Sequence, residues 1–288
     1  MENGYETMGE GLGRELLTVP CGAKRREHTS ILKNTPTIPF HAPYRQLPET
    51  AIDFTFKNYP VNLAASSFDC GILWGEGKWA PDQNSVAVVG SRKTSRENLQ
   101  YAYNIAYMFA QHNLPVISGL AYGVDTYAHW GAIRAGGRTV AVMATPLEKT
   151  YPAQNSELRK LIIRTGGLVV TEFDPGMVVA RRNFVQRDTT IAAYSSMVVA
   201  VAASEVSGTK HTVDAAISLG RPVALAAPIV EKTTWGKQYA GTLSNVHVFH
   251  NLTELASIVK GEIPIRTEIN HARICKTCGR VQTRREKL

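Results

Sequence analysis

Residues 86–93 read Val-Ala-Val-Val-Gly-Ser-Arg-Lys. Four consecutive apolar residues ending in glycine mark a buried strand that runs directly into a turn. Just beyond, Thr94 and Glu97 have the three-residue spacing of a capping box. Leu99, Ala102, Ile105, Ala106 and Phe109 then recur at helical spacing. A wholly apolar strand, a glycine turn and an amphipathic helix make the first half of a βαβ unit, in which the strand is covered on both faces.

The same grammar repeats downstream. Strands are expected at 115–118, 139–144, 168–171, 197–203 and 223–226. Helices are expected between them at 123–135, 155–164 and 209–218, closed by Gly136-Gly137, Gly166-Gly167 and Gly220. A short strand at 246–249 and a helix at 253–259 complete the series. Such alternation predicts an α/β fold with a mostly parallel sheet and helices on both faces. Upstream, Pro20, Pro36, Pro39, Pro43, Pro48 and Pro60 break any long period, so residues 1–70 are expected to form an irregular extension. The core is expected over 71–261, entered by a short strand near 71–74, and a polar, basic tail over 262–288.

Composition bounds the function. With 44% hydrophobic and 19% charged residues the chain can bury a sizeable core. No run approaches the roughly 18–20 apolar residues of a membrane span. The first residues are polar and carry Glu2, Glu6 and Glu10, unlike a signal peptide. A cytoplasmic protein without membrane partners is expected, and four cysteines in such a chain do not suggest a disulfide framework. The net charge of +8 favours polyanionic partners, because bound Lys and Arg release counterions from phosphates.

Candidate site residues fall where strands meet helices. Gly90, Ser91, Arg92 and Lys93 follow the first strand. Glycine permits close backbone approach, the serine hydroxyl and helix-start N–H groups donate to anions, and Arg92 adds a bidentate phosphate contact. The loop is neither a GxGxxG fingerprint nor a Walker A sequence. At the next junction Ser118, Gly119 and Gly123 offer a second close approach, with Asp125 and His129 four residues apart on one helix face. That pair is read as a structural couple, with acid–base catalysis as the lesser alternative. Ser207, Gly208 and Thr209 offer small donors at a later helix start, equally readable as an N-cap. Arg181, Arg182 and Arg187 surround Phe184, a composition suited to phosphates and one stacked base of a single strand, or to a solvated basic loop.

Taken in order, these pieces resemble the DprA/Smf family of DNA-processing proteins. The matching stretches are VAVVGSRK (86–93), SGLAYGVDTYAH (118–129), GRTVAVMA (137–144) with Tyr151-Pro152, Thr171-Glu172, Phe184 with Arg187 and Ile191, Ser207-Gly208-Thr209 with Thr212, and GRPV (220–223). The resemblance spans roughly residues 70–250. It implies an extended Rossmann-like fold, a homodimer, binding of single-stranded DNA in a basic pocket, delivery to a RecA-type recombinase during natural transformation, and no enzymatic turnover. It assigns Ser91 and Arg92 to phosphate, Ser118, Gly119, Gly123 and Asp125 to shaping the pocket, and Arg187 to the first arginine of an FPxRNRII-type segment.

The chain departs from that pattern in several places. Val185 stands for the proline, and Asp188-Thr189 for Asn-Arg, which removes one positive charge and adds a negative one. Pro228-Ile229 replaces a Pro-Gly, and Gly241-Thr242-Leu243-Ser244 only echoes the expected Gly-x-Asn-x-Leu-Ile. The same fold family includes sensor domains, often called SLOG, that bind free nucleotides, and relatives that cleave nucleoside monophosphates. Asp188 suits a ribose hydroxyl, and Glu172 or Asp125 an acid–base role, so these readings stand as alternatives.

The tail poses a separate question. Cys275 and Cys278 have the spacing of half a zinc knuckle, with His271 nearby, but tetrahedral structural zinc needs four ligands. A structural zinc is therefore the one cofactor considered, against a solvated tail. Residues 266–288 carry seven Lys/Arg against two acids, which suits sequence-independent phosphate attraction.

Overall fold

The computed structural model describes residues 60–68 and 73–263, together with the backbone of 273–274 and 281–282. Its centre is an eight-stranded sheet in the order β1-β5-β4-β3-β2-β6-β7-β8. The strands are β1 (Trp74–Gly77), β2 (Val86–Gly90), β3 (Val116–Ser118), β4 (Thr139–Val142), β5 (Leu168–Thr171), β6 (Met197–Ala202), β7 (Val223–Ala226) and β8 (Val246–Phe249). Only the edge strand β1 runs antiparallel, against β5; all other pairs are parallel. The α/β fold expectation holds, and the register of β2 with β6 (Val86 opposite Met197) places two apolar strands at the sheet's centre.

Alternate residues of each strand feed opposite faces, as the period of two demands. Ala87, Val89, Ile117, Val140, Val142, Val198 and Ala200 pack on one face beneath α1 (Val61–Ala65), α5 (Arg181–Tyr194), α6 (Gly208–Ser218), α7 (Ala227–Lys232) and α8 (Thr234–Thr242). Val86, Val88, Val116, Met197, Val199 and Val201 face α2 (Arg96–Gln111), α3 (Val124–Arg134) and α9 (Leu252–Glu262). Helix α4 (Ser156–Arg164) covers β4 and β5 through Leu158 and Ile162. Each such buried aliphatic side chain contributes about 1.5–3 kcal/mol.

Local differences have local causes. The cap of α2 is Ser95, one residue beyond the expected Thr94: its hydroxyl accepts from the Asn98 N–H at 3.3 Å, while Thr94 Oγ1 accepts from Asn98 Nδ2 at 2.8 Å. The packed core also begins upstream of residue 71. Leu63 of α1 is buried, and Asn62 donates through Nδ2 to Tyr194 O, Ser196 Oγ and Gln83 O at 3.0–3.2 Å. Helices α5, α7 and α8 have no counterpart in the expected elements. Helix α5 follows Ala180, which has no capping side chain; it buries Asn183, Arg187, Asp188 and Thr190 before the consecutive apolar run of Ile191, Ala192, Ala193 and Tyr194, so it lacks an apolar stripe at helical spacing.

The topology positions the site. From β2 the chain winds outward through β3, β4 and β5; α5 then carries it back across the sheet to β6, on the other side of β2. Strand order therefore reverses between β2 and β6, and the loops leaving their carboxyl ends part there. In open α/β sheets that divergence opens the ligand crevice. The two-residue strands β9 (Arg273–Ile274) and β10 (Val281–Gln282) pair antiparallel to each other. Cys275, Cys278 and His271, the residues considered for zinc, lie outside the described residues, as do most of 1–70.

Candidate nucleic-acid interface

The loop after β2 is held from below. Ser91 N–H donates to Ala202 O at 2.8 Å, Ser91 Oγ to the same carbonyl at 3.2 Å, and Ser91 O accepts from Val124 N–H. This fixes the loop and sends Arg92 and Lys93 into solvent. The Arg92 guanidinium lies over the Phe184 ring, 5.0 Å from its centroid, and Phe184 meets Tyr151 edge-on at 5.4 Å. Phe184 sits in the first turn of α5, directly after Arg181, Arg182 and Asn183, and both arginines are exposed. Arg92, Lys93, Arg181 and Arg182 thus place four exposed cations on the two segments that meet at the Arg92–Phe184 contact. Among the described residues none of the four enters an ion pair.

Beneath this surface lies a buried polar network. Arg187 is 4% exposed; its Nη1 donates to Gly119 O and to Val142 O (3.0 Å), and its Nε to Asp188 Oδ1 at 3.1 Å. Asp125 Oδ2 accepts from the N–H groups of Gly119 and Ala121 at 3.2 and 3.3 Å. Ser118 is fully buried and donates to Val88 O at 2.7 Å. Arg187, expected as a phosphate contact, is therefore committed to internal carbonyls, and Ser118 likewise serves the strand ends.

The three glycines need a corrected explanation. They were expected to open the backbone to a phosphate, but the protein itself fills the space. A Cβ on Gly90 would lie 2.6 Å from Val124 Cγ2, and one on Gly119 would lie 2.6 Å from Arg187 Cζ. Gly123, at φ +77°, would press on the carbonyls of Ser91 and Arg92. Glycine here lets the β2 and β3 loops pack on each other. Gly208 differs: its Cβ would meet only Asp188 Oδ2, at 3.9 Å. The turn at 207–209 therefore faces a carboxylate of the chain itself. Ser207 caps α6 without a side-chain bond, its Oγ has no hydrogen-bond partner among the described residues, and Thr209 reaches back to Ala202 O at 3.5 Å.

Burial sets the protonation of this network. Desolvation pushes Asp188 up to about 6, with Arg187 opposing and Asp125 assisting the shift. Desolvation also raises Asp125 and Glu172. Glu172 accepts from Thr190 and from Gln186 Nε2. Burial lowers His129 to about 3, so it is neutral near pH 7; its Nδ1 lies 2.7 Å from Thr139 Oγ1. Asp125 and His129 thus serve different partners rather than each other.

The sequence reading overlooked the tyrosines. Tyr122 and Tyr127 are 41% and 38% exposed, and Tyr122 donates to Gln154. Tyr151 was quoted without a role. Their signal was available: large aromatics in a strand-to-helix junction beside basic residues.

The protein-family comparison matches the model described as DNA recombination-mediator protein A over residues 50–254. The chain belongs to this family. It is 35% identical over 169 residues to a putative DNA processing protein DprA of Mycobacterium tuberculosis, covering 57% of this chain and 43% of that protein. It is 36% identical to DNA processing protein DprA of Streptococcus pneumoniae over 138 residues, 48% of each. It is 32% identical to protein Smf of Escherichia coli over 173 residues, covering 59% and 46%. The chain thus spans about half the length of the curated relatives it matches. Among solved structures, the S. pneumoniae DprA crystal structure aligns with a TM-score of 0.60 at 28% identity, covering 69% of this chain and 70% of that one. A Helicobacter pylori DNA processing protein A, solved for its single-stranded DNA binding mode, shares the fold at a TM-score of 0.62 and 19% identity, covering 72% and 94%.

Proposed function

We propose that this chain binds single-stranded DNA without reading its sequence, in DNA processing or recombination, and turns over no substrate. The observation that carries this reading is the Arg92 guanidinium over Phe184 at the sheet's switch point, with Lys93, Arg181 and Arg182 exposed on the same two segments and none of the four in an ion pair among the described residues. Cations that track a backbone and a ring that accepts any base give affinity without sequence preference. The start of α5 supports the same reading. Two arginines in the first turn oppose the helix macrodipole, and Ala180 supplies no cap. A local rule broken in this way is expected where a ligand anion completes the structure. Gly90, Ser91, Ser118, Gly119, Gly123 and Arg187 act as positioning residues that hold the two loops together.

Family membership supports the same role, and a homodimer and a RecA-type recombinase are part of the proposal. The test is competition: a labelled oligothymidylate of roughly 20 nucleotides, challenged with unlabelled single strand, duplex and mononucleotide. Displacement by single strand well ahead of duplex is expected. Displacement by mononucleotide alone would favour the sensor reading instead. One observation favours that second reading: Asp188 faces the open 207–209 turn, where a carboxylate suits a ribose hydroxyl better than a phosphate.

A further inference from the structure

Arg92, whose guanidinium lies over Phe184, also lines a groove of about 460 Å³ that Phe184 does not line, together with Lys93, Leu99, Tyr122, Tyr127, the Gly123 backbone, Asn155 and Thr126. We propose that this groove is a further base-stacking subsite, which takes the nucleotide of a single strand adjacent to the one held at Arg92 and Phe184. The proposal rests on the single-strand reading above and extends it to residues that reading does not use.

The groove is built where two helices begin. Helix α2 starts at Arg96, capped by Ser95, and α3 starts at Val124, capped by Gly123, so both positive ends face this region. Arg92 and Lys93 form its rim, and no acidic side chain lines it. Leu99 and the two tyrosines supply the apolar surface. Exposure of 41% and 38% leaves Tyr122 and Tyr127 with free area that no part of the described chain covers. The groove's volume lies within the usual range for small-molecule sites of roughly 300–1,000 Å³. A basic rim over aromatic walls matches a nucleotide better than a peptide or an acyl chain, because phosphate and base are satisfied together.

The setting also argues for pre-organisation. Asn155 Nδ2 donates to Leu120 O at 2.8 Å and to Thr126 Oγ1 at 2.9 Å, and Thr126 Oγ1 donates to Ala121 O at 2.7 Å. These bonds fix the floor and the backbone on either side of Tyr122. The Tyr122 hydroxyl donates to Gln154, a contact at the edge of the ring that leaves its face free. Arg92 belongs both to this groove and to the contact with Phe184, so a phosphate at its guanidinium links the two stacking surfaces.

The experiment compares oligothymidylates of roughly 4 and roughly 20 nucleotides on the full chain. The variants are the Tyr122→Ala/Tyr127→Ala pair, the Tyr122→Phe/Tyr127→Phe pair and Arg92→Ala, each checked for an unchanged melting temperature. The alanine pair should lose about tenfold or more on the long strand and less than about twofold on the short one, which Phe184 still holds. The phenylalanine pair should bind like the wild type, since stacking needs the ring. Wild-type affinity of the alanine pair for both lengths would overturn the subsite, as would an equal loss on both. Wild-type affinity of Arg92→Ala would instead remove the parent reading.

Discussion

The Arg92 guanidinium lies over the Phe184 ring, 5.0 Å from its centroid, although one residue leaves β2 and the other begins the crossover helix after β5. The contact joins the two segments that the topology brings to the switch point. A guanidinium over a ring keeps N–H groups available, so the same side chain can hold the ring and offer donors to an anion. Positive charge and stacking surface are therefore one unit, and the consequences of disturbing its surroundings can be stated.

Asp188 adds a second carboxylate beside a single buried arginine. With its folded pKa raised to about 6, above an unfolded value of about 3.9, the native state holds the extra proton between those values. Its contribution to stability is thus fully present below about pH 4 and is lost as pH rises through about 6. Asp188→Asn should remove that loss. Denaturant titrations should show the variant gaining up to about 2 kcal/mol on the wild type at pH 7.5, with the gap closing at low pH. Single-strand affinity should rise at pH 7.5 and lose its dependence on pH near 6.

The glycines separate into two classes. Gly119→Ala and Gly123→Ala should each destabilise the fold by roughly 2–4 kcal/mol, the first by displacing Arg187 and the second by strain at φ +77° and pressure on Ser91. Gly208→Ala, exposed at the start of α6, should be neutral or stabilising by up to about 1 kcal/mol. Urea midpoints measure all three.

Arg181 and Arg182 trade stability for binding. Replacing either by glutamate places an acid in the first turn of α5, which should stabilise the helix by about 0.3–1 kcal/mol. The same change should weaken single-strand binding by more than tenfold, because it removes a cation and adds an anion at the interface. Melting temperature and affinity moving in opposite directions is the expected signature.

What the sequence reveals here follows from periodicity. The strands are apolar runs with glycine stops, and β5, β7 and β8 lie at the residues read from the chain alone. Helix α5 escaped because the buried residues of its first ten positions are Asn183, Arg187, Asp188 and Thr190, and its apolar ones, Ile191, Ala192, Ala193 and Tyr194, fall in one consecutive run at its end rather than at helical spacing. Asp82 escaped too: it lies in an irregular stretch, yet bonds Arg138 Nε at 2.6 Å and the Tyr194 hydroxyl at 2.8 Å, tying the approach to β2 to β4 and α5. In the site, the exposure of Arg92 was legible because it leaves the end of a buried strand in a polar, glycine-led loop. The roles of Arg187 and the glycines were not, because the sequence does not say which groups face inward.

The most direct test is the salt dependence of binding to a single strand of roughly 20 nucleotides, measured for the wild type and for Arg92→Ala. The logarithm of affinity should fall with that of salt at about 0.7 per phosphate neutralised on a single strand. The wild type should show a steep negative slope, and Arg92→Ala should bind more weakly with a slope shallower by about 0.7. An unchanged affinity and slope in Arg92→Ala would contradict the assignment of this crevice as the DNA interface.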